Sequence, residues 1–404
     1  MVNVTNVLRL GHYREILRLS GHSSKQHKLD LRRFGIHPER NSDFRRTLMF
    51  EALGFENVTA PQAVVFFALI VGAVFGLLAE RTQFCFRRSL VGEDRRAALG
   101  VWLAALAAAL IGTQAAVFAG LISFAEHRFM TTDLPWLAIL TGGLLFGAGM
   151  LLTRGCASRL TVLAGTGNLR ALTVLVVFAI AAHATLKGVL APLRTSLGAV
   201  TVNLGESAAL PGTALLWTAL ISIAALVISV RSGNRIGSLL MAVLLGLLVP
   251  LAWVGTGFVL YDDFDPVAME SLSFTSPWAE TLFWSVASTS IPAGFGVGLV
   301  GGVLAGALAA SLLFGSFRWQ SFTSPAETGR YAAGAVLMGV GGVLAGGCTV
   351  GAGLAGIPSL SVAAILALLA IAAGALITNA ALRAIRPSPA DAGWPTTQTR
   401  QPAE

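Results

Sequence analysis

Charge is scarce along this chain: 12% of its 404 residues are Asp, Glu, Lys or Arg, against 55% hydrophobic, with a mean hydropathy of +0.73. That balance excludes an ordinary soluble domain and indicates an integral membrane protein. Cysteine is scarcer still, at three residues, and the chain has no CxxC or HxxxH spacing, so the patterns that hold metal are missing and no metal is expected. No GxxxxGK[ST] segment occurs, which argues against direct ATP hydrolysis. Lysine is absent beyond the N-terminal tail except for Lys187, and His183 is the one histidine within an apolar run.

What is abundant is long apolar sequence. Runs at 62–80, 97–122, 134–152, 170–190, 212–230, 236–257, 292–314, 331–349 and 360–381 carry almost no charge. Each is long enough to cross a hydrocarbon core about 30 Å thick, so nine spans are expected. They are too long for barrel strands, and backbone groups in lipid must pair within their own segment, so the fold class expected is all-α, a polytopic helical bundle. The net charge of +8 points to topology rather than to nucleic acid, because the basic residues lie in a tail and in short loops. Fifteen arginines occupy alternate loops and the C-terminal end: Arg81, Arg87, Arg88, Arg95 and Arg96; Arg154, Arg159 and Arg170; Arg231 and Arg235; Arg318 and Arg330; Arg383, Arg386 and Arg400. The intervening loops carry only Arg128 and Arg194, and one holds Asp262, Asp263, Asp265, Glu270 and Glu280, so the arginine-rich side is expected to face the cytoplasm.

The tail at 1–61 breaks this pattern, since nine crossings place its ten Lys and Arg outside. Either a long tail escapes the charge rule or 62–80 is a re-entrant hairpin. The tail lacks the continuous apolar core of a secretory signal peptide, so no cleavage is expected. Its stretch VTNVLRLGHYREILRL reads equally as a basic amphipathic helix on the lipid surface or a partner, or as a solvated tail.

Internal repetition carries more information than hydropathy. GGLLFGAGMLLTRGC at 142–156 aligns without a gap with GAVLMGVGGVLAGGC at 334–348, matching Gly142 to Gly334, Gly149 to Gly341 and Cys156 to Cys348. GAVFGLLAERTQFC at 72–85 aligns with GVLAGALAASLLFG at 302–315, which places Gly315 opposite Cys85. The expected organisation is a first repeat at 62–190, connecting spans and an acidic loop at 191–291, a second repeat at 292–381, and a polar tail at 382–404. The arginine pattern gives the Cys156 and Cys348 spans opposite directions, as an inverted repeat requires, but gives 62–80 and 292–314 the same direction. The 45 glycines permit close helix packing. Past each repeated cysteine, CASRLTVLAGTGN and CTVGAGLAGIPS continue as short apolar pieces broken by Gly or Pro, the pattern of broken or re-entrant segments whose free amides can face an anion.

A lone cysteine in a membrane helix is ordinarily a small buried hydrophobe. The repeat changes that reading for Cys156 and Cys348, which follow glycine at equivalent positions and are expected to face the centre of the bundle. A thiol there can donate or accept a weak hydrogen bond, or ionise and react.

FGLLAERTQFCFRRSL, GGLLFGAGMLLTRGC and GAVLMGVGGVLAGGCTVGAGL resemble the characteristic segments of the YeeE/YedE family of inner-membrane sulphur transporters, over about residues 62 to 381. The order of the motifs is similar to the thiosulfate-uptake branch. The resemblance implies a pseudo-symmetric helical protein that passes thiosulfate through a narrow path lined by three cysteines, which map onto Cys85, Cys156 and Cys348. It implies a transporter rather than an enzyme, without a cofactor, and a cytoplasmic sulphur-carrier protein is a candidate recipient. Two segments depart from the family pattern: RGCASR stands where the family tends toward GGCATG, and FRRSL where FRD is usual.

Arg81, Arg87, Arg154 and Arg159 are candidates for recruiting or releasing the anion, with topology and lipid headgroup contact as the plainer explanation. His183 and Lys187 share a helix face; Lys187 is a functional candidate or a snorkelling residue at a span end. Related sulphur or selenium anions, and a membrane thiol oxidoreductase in which the cysteines exchange disulfides, are the alternative functions.

Overall fold

The computed structural model describes residues 59–205, 208–262 and 265–385. The basic tail with its candidate amphipathic stretch, and the chain from 386 onward, lie outside the described residues. The helices are α1 (Ala60–Thr82), α2 (Phe86–Val91), α3 (Arg95–Phe118), α4 (Trp136–Leu152), α5 (Ala157–Gly165), α6 (Leu169–Leu186), α7 (Ala191–Gly198), α8 (Ala214–Val230), α9 (Ile236–Val254), α10 (Thr275–Ala287), α11 (Phe295–Leu313), α12 (Pro325–Leu344) and α13 (Val362–Ile385). Wide π-helical turns cover Gly255–Val259 and Thr349–Gly356. Among the described residues the one sheet is a two-residue antiparallel pair, Asp133–Leu134 with Val202–Asn203.

The fold is the expected all-α membrane bundle. Among the described residues eight helical segments are long and apolar enough to cross a membrane, and the 17-residue α8 is a shorter apolar helix in the remaining expected run, 212–230. Four of the eight are composite, joining α1 to α2, α4 to α5, α9 to the turn at 255–259, and α12 to the turns at 349–359. Helix starts follow local chemistry. The Asn168 side chain accepts the Ala171 N–H at 3.0 Å at the start of α6, and the Ser324 hydroxyl accepts the Glu327 N–H at 3.2 Å at the start of α12. Sequence reading missed α10, because 13 residues containing Glu280 fall below the length and hydropathy of a span.

Two glycine seams hold the bundle. In the first, α4 crosses α12 antiparallel: a Cβ on Gly341 would lie 2.6 Å from the Gly142 carbonyl oxygen, and one on Gly334 would lie 2.9 Å from that of Gly149. Each repeat's first glycine thus meets the other repeat's second, the reciprocal contact a two-fold axis produces, with the helices opposed as an inverted repeat demands. In the second seam α1 runs parallel to α11: a Cβ on Gly298 would lie 3.0 Å from the Ala68 Cβ, one on Gly302 would lie 2.9 Å from the Ala73 backbone N, and one on Gly76 would lie 2.9 Å from the Ala307 backbone N. A helix packed along its length in this way does not fit a re-entrant hairpin at 62–80.

Packing partners recur in pairs: α1 on α11 and α9 on α3; α4 on α13 and α12 on α6; α2 on α3 and α10 on α11; α5 on α11 and the turn at 349–356 on α3. This order matches α1–α6 with α9–α13 and extends the second repeat from the expected 292 back to Ile236. It also corrects the pairing of Cys85 with Gly315. Because α1 and α11 are parallel neighbours, their matched glycines reflect a shared packing contact, and the counterpart of Cys85, the residue before α2, is Phe274, the residue before α10.

The basic loops gather at one face. The Ser316 hydroxyl donates to Glu80 at 2.8 Å, the Asn168 amide to Gln320 at 2.7 Å, and Arg170 pairs with Glu327 at 3.2 Å, tying the end of α1 to the start of α6 and to the loop between α11 and α12.

Gly149→Ala is expected to destabilise the protein by about 1–3 kcal/mol through overpacking against Met338, whose backbone N would lie 2.8 Å from the new Cβ. Gly301→Ala, whose Cβ would meet nothing within 4 Å, is expected to leave the thermal midpoint of the detergent-solubilised protein unchanged or higher.

Candidate functional site

All three cysteines stand at the same kind of break. A long helix stops, one residue adopts the left-handed conformation, and two residues later a cysteine with extended backbone opens a short helical piece. The left-handed residues are Gln83 (φ 49°), Arg154 (φ 58°) and Gly346 (φ 76°), and the short pieces are α2, α5 and the turn at 349–356. The described residues hold three non-glycine residues at positive φ, and two of them open cysteine turns, each at a cost of about 1–2 kcal/mol. Thr153 closes one turn: its hydroxyl lies 2.9 Å from the Gly149 carbonyl oxygen and 3.1 Å from that of Gly155.

The breaks bring the thiols together at the centre. Cys85, Cys156 and Cys348 are free and buried. Cys85 and Cys156 are neighbours, Cys156 lies 3.3 Å from the Ser158 hydroxyl, and the Thr349 hydroxyl faces the Cys156 sulphur across the repeat axis. The Cys348 sulphur accepts the Gly351 N–H at 3.4 Å, and the Phe274 N–H faces it as well. The pseudo-symmetry is therefore visible in the contacts: Cys85 stands beside Cys156 as Phe274 stands beside Cys348.

The candidate arginines divide. Arg87 and Arg159 approach the Cys85 and Cys156 sulphurs, and Arg154 lies beside Arg87. The Arg159 guanidinium points at the Ala79 carbonyl at 3.5 Å, whereas Arg87 Nε is buried without a partner. Arg81 instead lies over the Phe314 ring, 3.9 Å from its centroid, and is not brought to the thiols. Arg88 is held by Asp94, whose carboxyl it keeps below the ordinary range. His183 stacks on Phe283 at 4.7 Å, and Lys187 ends α6 exposed, near Glu280.

Sequence reasoning assigned Arg128, Glu270 and Glu280 to topology alone, yet they form a second charged group, on the Cys348 side. Arg128 sits within electrostatic range of Glu270, Glu280 and Cys348. Burial, reinforced by repulsion from Glu280 and opposed by Arg128, pushes the Glu270 carboxyl up to about 7. His127, packed 5.1 Å from the Trp253 ring, is lowered to about 4 by burial and by Arg128, so it is neutral at physiological pH. No group of His, Cys, Asp and Glu able to hold a metal ion occurs among the described residues.

Broken helices that meet at the interface of two inverted repeats are the arrangement in which many transporters build a substrate site. A family model described as sulphur transport matches residues 81–377. The chain belongs to this family. Its match begins four residues before Cys85 and ends past Cys348, so all three cysteine turns fall inside it. Relatives in the family are the thiosulfate transporter TsuA of Escherichia coli (strain K12), 28% identical over 323 residues covering 72% of this chain and 87% of the relative, and that of Spirochaeta thermophila, 26% identical over 328 residues covering 75% and 94%.

A raised carboxyl pKa means that the neutral form is retained, so Glu270 is expected to be mostly protonated at pH 6 and mostly charged at pH 8. Infrared difference titration should show a protonated-carboxyl band that fades with a midpoint near 7 and is absent in Glu270→Gln. A midpoint at the ordinary 4.5 contradicts the burial of this group.

Proposed function

We propose that this chain carries thiosulfate into the cytoplasm along a path of three thiols. The observation that carries the reading is the convergence of three equivalent helix breaks, each ending in a buried free cysteine, on one region between two groups of charged residues. Thiosulfate is a dianion with a soft terminal sulphur. A path for it needs positive potential without a site so deep that release becomes slow. Neutral thiols and helix-end amides give weak sequential contacts, and cations at the mouths raise the local anion concentration.

In this reading the anion is drawn by Arg128 and Lys187, passes Cys348, then Cys156 and Cys85, and leaves past Arg87, Arg154 and Arg159 on the arginine-rich cytoplasmic side. The unpartnered Arg87 Nε supports a receiving role for that residue. A cytoplasmic sulphur-carrier protein would take the anion from this face. The cysteines act as hydrogen-bond donors and undergo no net chemistry, so the chain is a transporter and not an enzyme.

The closeness of Cys85 and Cys156 favours a second reading, a thiol oxidoreductase, over any pairing with Cys348. The two readings differ in outcome. Cys156→Ala is expected to lower thiosulfate uptake at equal expression by about tenfold or more, the effect of losing one hydrogen bond along the path, while uptake near wild type overturns the thiol path. A Cys85–Cys156 disulfide trapped during turnover supports the redox reading instead. Competition by sulfite and selenium oxyanions ranks the substrates.

A further inference from the structure

The repeats differ at one position in the path: where the first has the Cys85 thiol, the second has Phe274, which offers no polar side chain. The residues flanking Phe274 are Ser273 and Thr275, and both hydroxyls are buried without a partner; the Thr349 hydroxyl, beside Cys348, has no oxygen or nitrogen partner and faces only the Cys156 sulphur. Thr275 is 2% exposed and Thr349 is 1% exposed, so water does not explain them by surface contact.

Threonines inside membrane helices ordinarily satisfy their hydroxyl on the carbonyl four residues back. Thr82, Thr161, Thr185 and Thr256 do so here, at 2.7–2.9 Å. Thr275 and Thr349 cannot follow them, because each is the first residue of its helical piece and has no preceding turn. An unsatisfied buried hydroxyl costs about 1–3 kcal/mol, so two of them beside one turn call for a partner. Both border the Cys348 turn. Thr349 follows the cysteine and faces the Cys156 sulphur, and a Cβ on Gly342, in the last turns of α12, would lie 2.9 Å from the Thr275 hydroxyl. Ser273 completes the group, since a Cβ on Gly351 would lie 2.7 Å from its hydroxyl.

We infer that Thr275 and Thr349, supported by Ser273, determine specificity by donating hydrogen bonds to the oxygens of a sulphur oxyanion, while the thiols meet its sulphur end. The inference rests on the transport reading above and deepens it. Hydroxyls bond oxygen more strongly than thiols do, and a soft terminal sulphur matches a thiol, so the two donor types sort the two ends of one anion. The second repeat thereby replaces the missing thiol with hydroxyl chemistry and fixes the orientation in which the anion passes.

The test uses the full chain in proteoliposomes, with Thr275→Val and Thr349→Val to remove each hydroxyl at nearly constant shape, Thr→Ser at both positions to restore it, and Ser222→Ala as a control. Ser222 is also unpartnered but lies on α8, outside both repeats. Each Val variant is expected to raise KM for thiosulfate about tenfold and to weaken inhibition by sulfite by a similar factor, as one lost hydrogen bond does. Inhibition by hydrosulfide, which has sulphur and no oxygen, is expected to stay within about twofold, and the Ser variants and Ser222→Ala to match wild type. Unchanged KM in both Val variants, or an equal loss for sulfite and hydrosulfide, overturns the inference while leaving the thiol path standing. A wild-type protein that takes up no thiosulfate overturns both.

Discussion

A helix that stops within a membrane strands amide and carbonyl groups that lipid cannot satisfy. Three such stops occur here, and the structure depends on keeping them together and away from lipid. The glycine seams make this possible. With the backbones of α4 and α12 close enough for the Gly142 and Gly341 atoms to touch, the turns at Cys156 and Cys348 face each other across the axis rather than facing hydrocarbon. The parallel seam of α1 with α11 delivers Cys85 to the same place. Bulkier residues would separate the helices and expose each break, so the small residues and the broken helices are one design constraint seen twice.

The inverted repeat gives two halves with the same architecture and different chemistry. One half places Cys85 beside Cys156 with Arg87, Arg154 and Arg159 close by; the other places Phe274 beside Cys348 with unpartnered hydroxyls. The mouths differ in the same sense. The Cys85 side is dominated by fixed cations, whereas the Cys348 side sets Arg128 against Glu270, whose charge changes near neutral pH. A symmetric path would hold an anion equally well facing either way; under the proposed function this asymmetry sets a sequence of environments for the anion.

Much of the fold was legible in the sequence. Nine apolar runs, the repeat through Gly142 and Gly334, and the short pieces after Cys156 and Cys348 each have a structural counterpart. The limits were physical. The glycines of 72–85 and 302–315 align because α1 and α11 solve the same close-packing problem as parallel neighbours, and a one-dimensional comparison does not separate that from duplication. The true counterpart of Cys85 is a phenylalanine reached through a longer connection, with no residue identity left to find it. Helix α10 is too short and too polar to register as a span. Thr275 and Thr349 read as ordinary threonines until their positions at the first turn of a helical piece are known, and Arg128 read as a loop charge until Glu270 and Cys348 were seen beside it.

The division of labour between charge and weak donors follows from the magnitudes. A fixed cation about 4 Å from a dianion contributes roughly 8 kcal/mol at an effective dielectric near 20, which corresponds to a slowing of release by about a million-fold. A neutral hydrogen bond contributes about 1 kcal/mol net. A transporter that met its substrate with bare arginines at the centre would bind and not release. Here the Arg159 guanidinium, only one turn beyond Cys156, is turned toward the Ala79 carbonyl, and the unpartnered groups near the thiols are the Arg87 Nε and the hydroxyls of Ser273 and Thr275. In the proposed path Arg154, which is exposed, acts where water screens it. In the proposed path, a guanidinium already engaged by a carbonyl, as Arg159 is by Ala79, attracts a dianion and still lets it go.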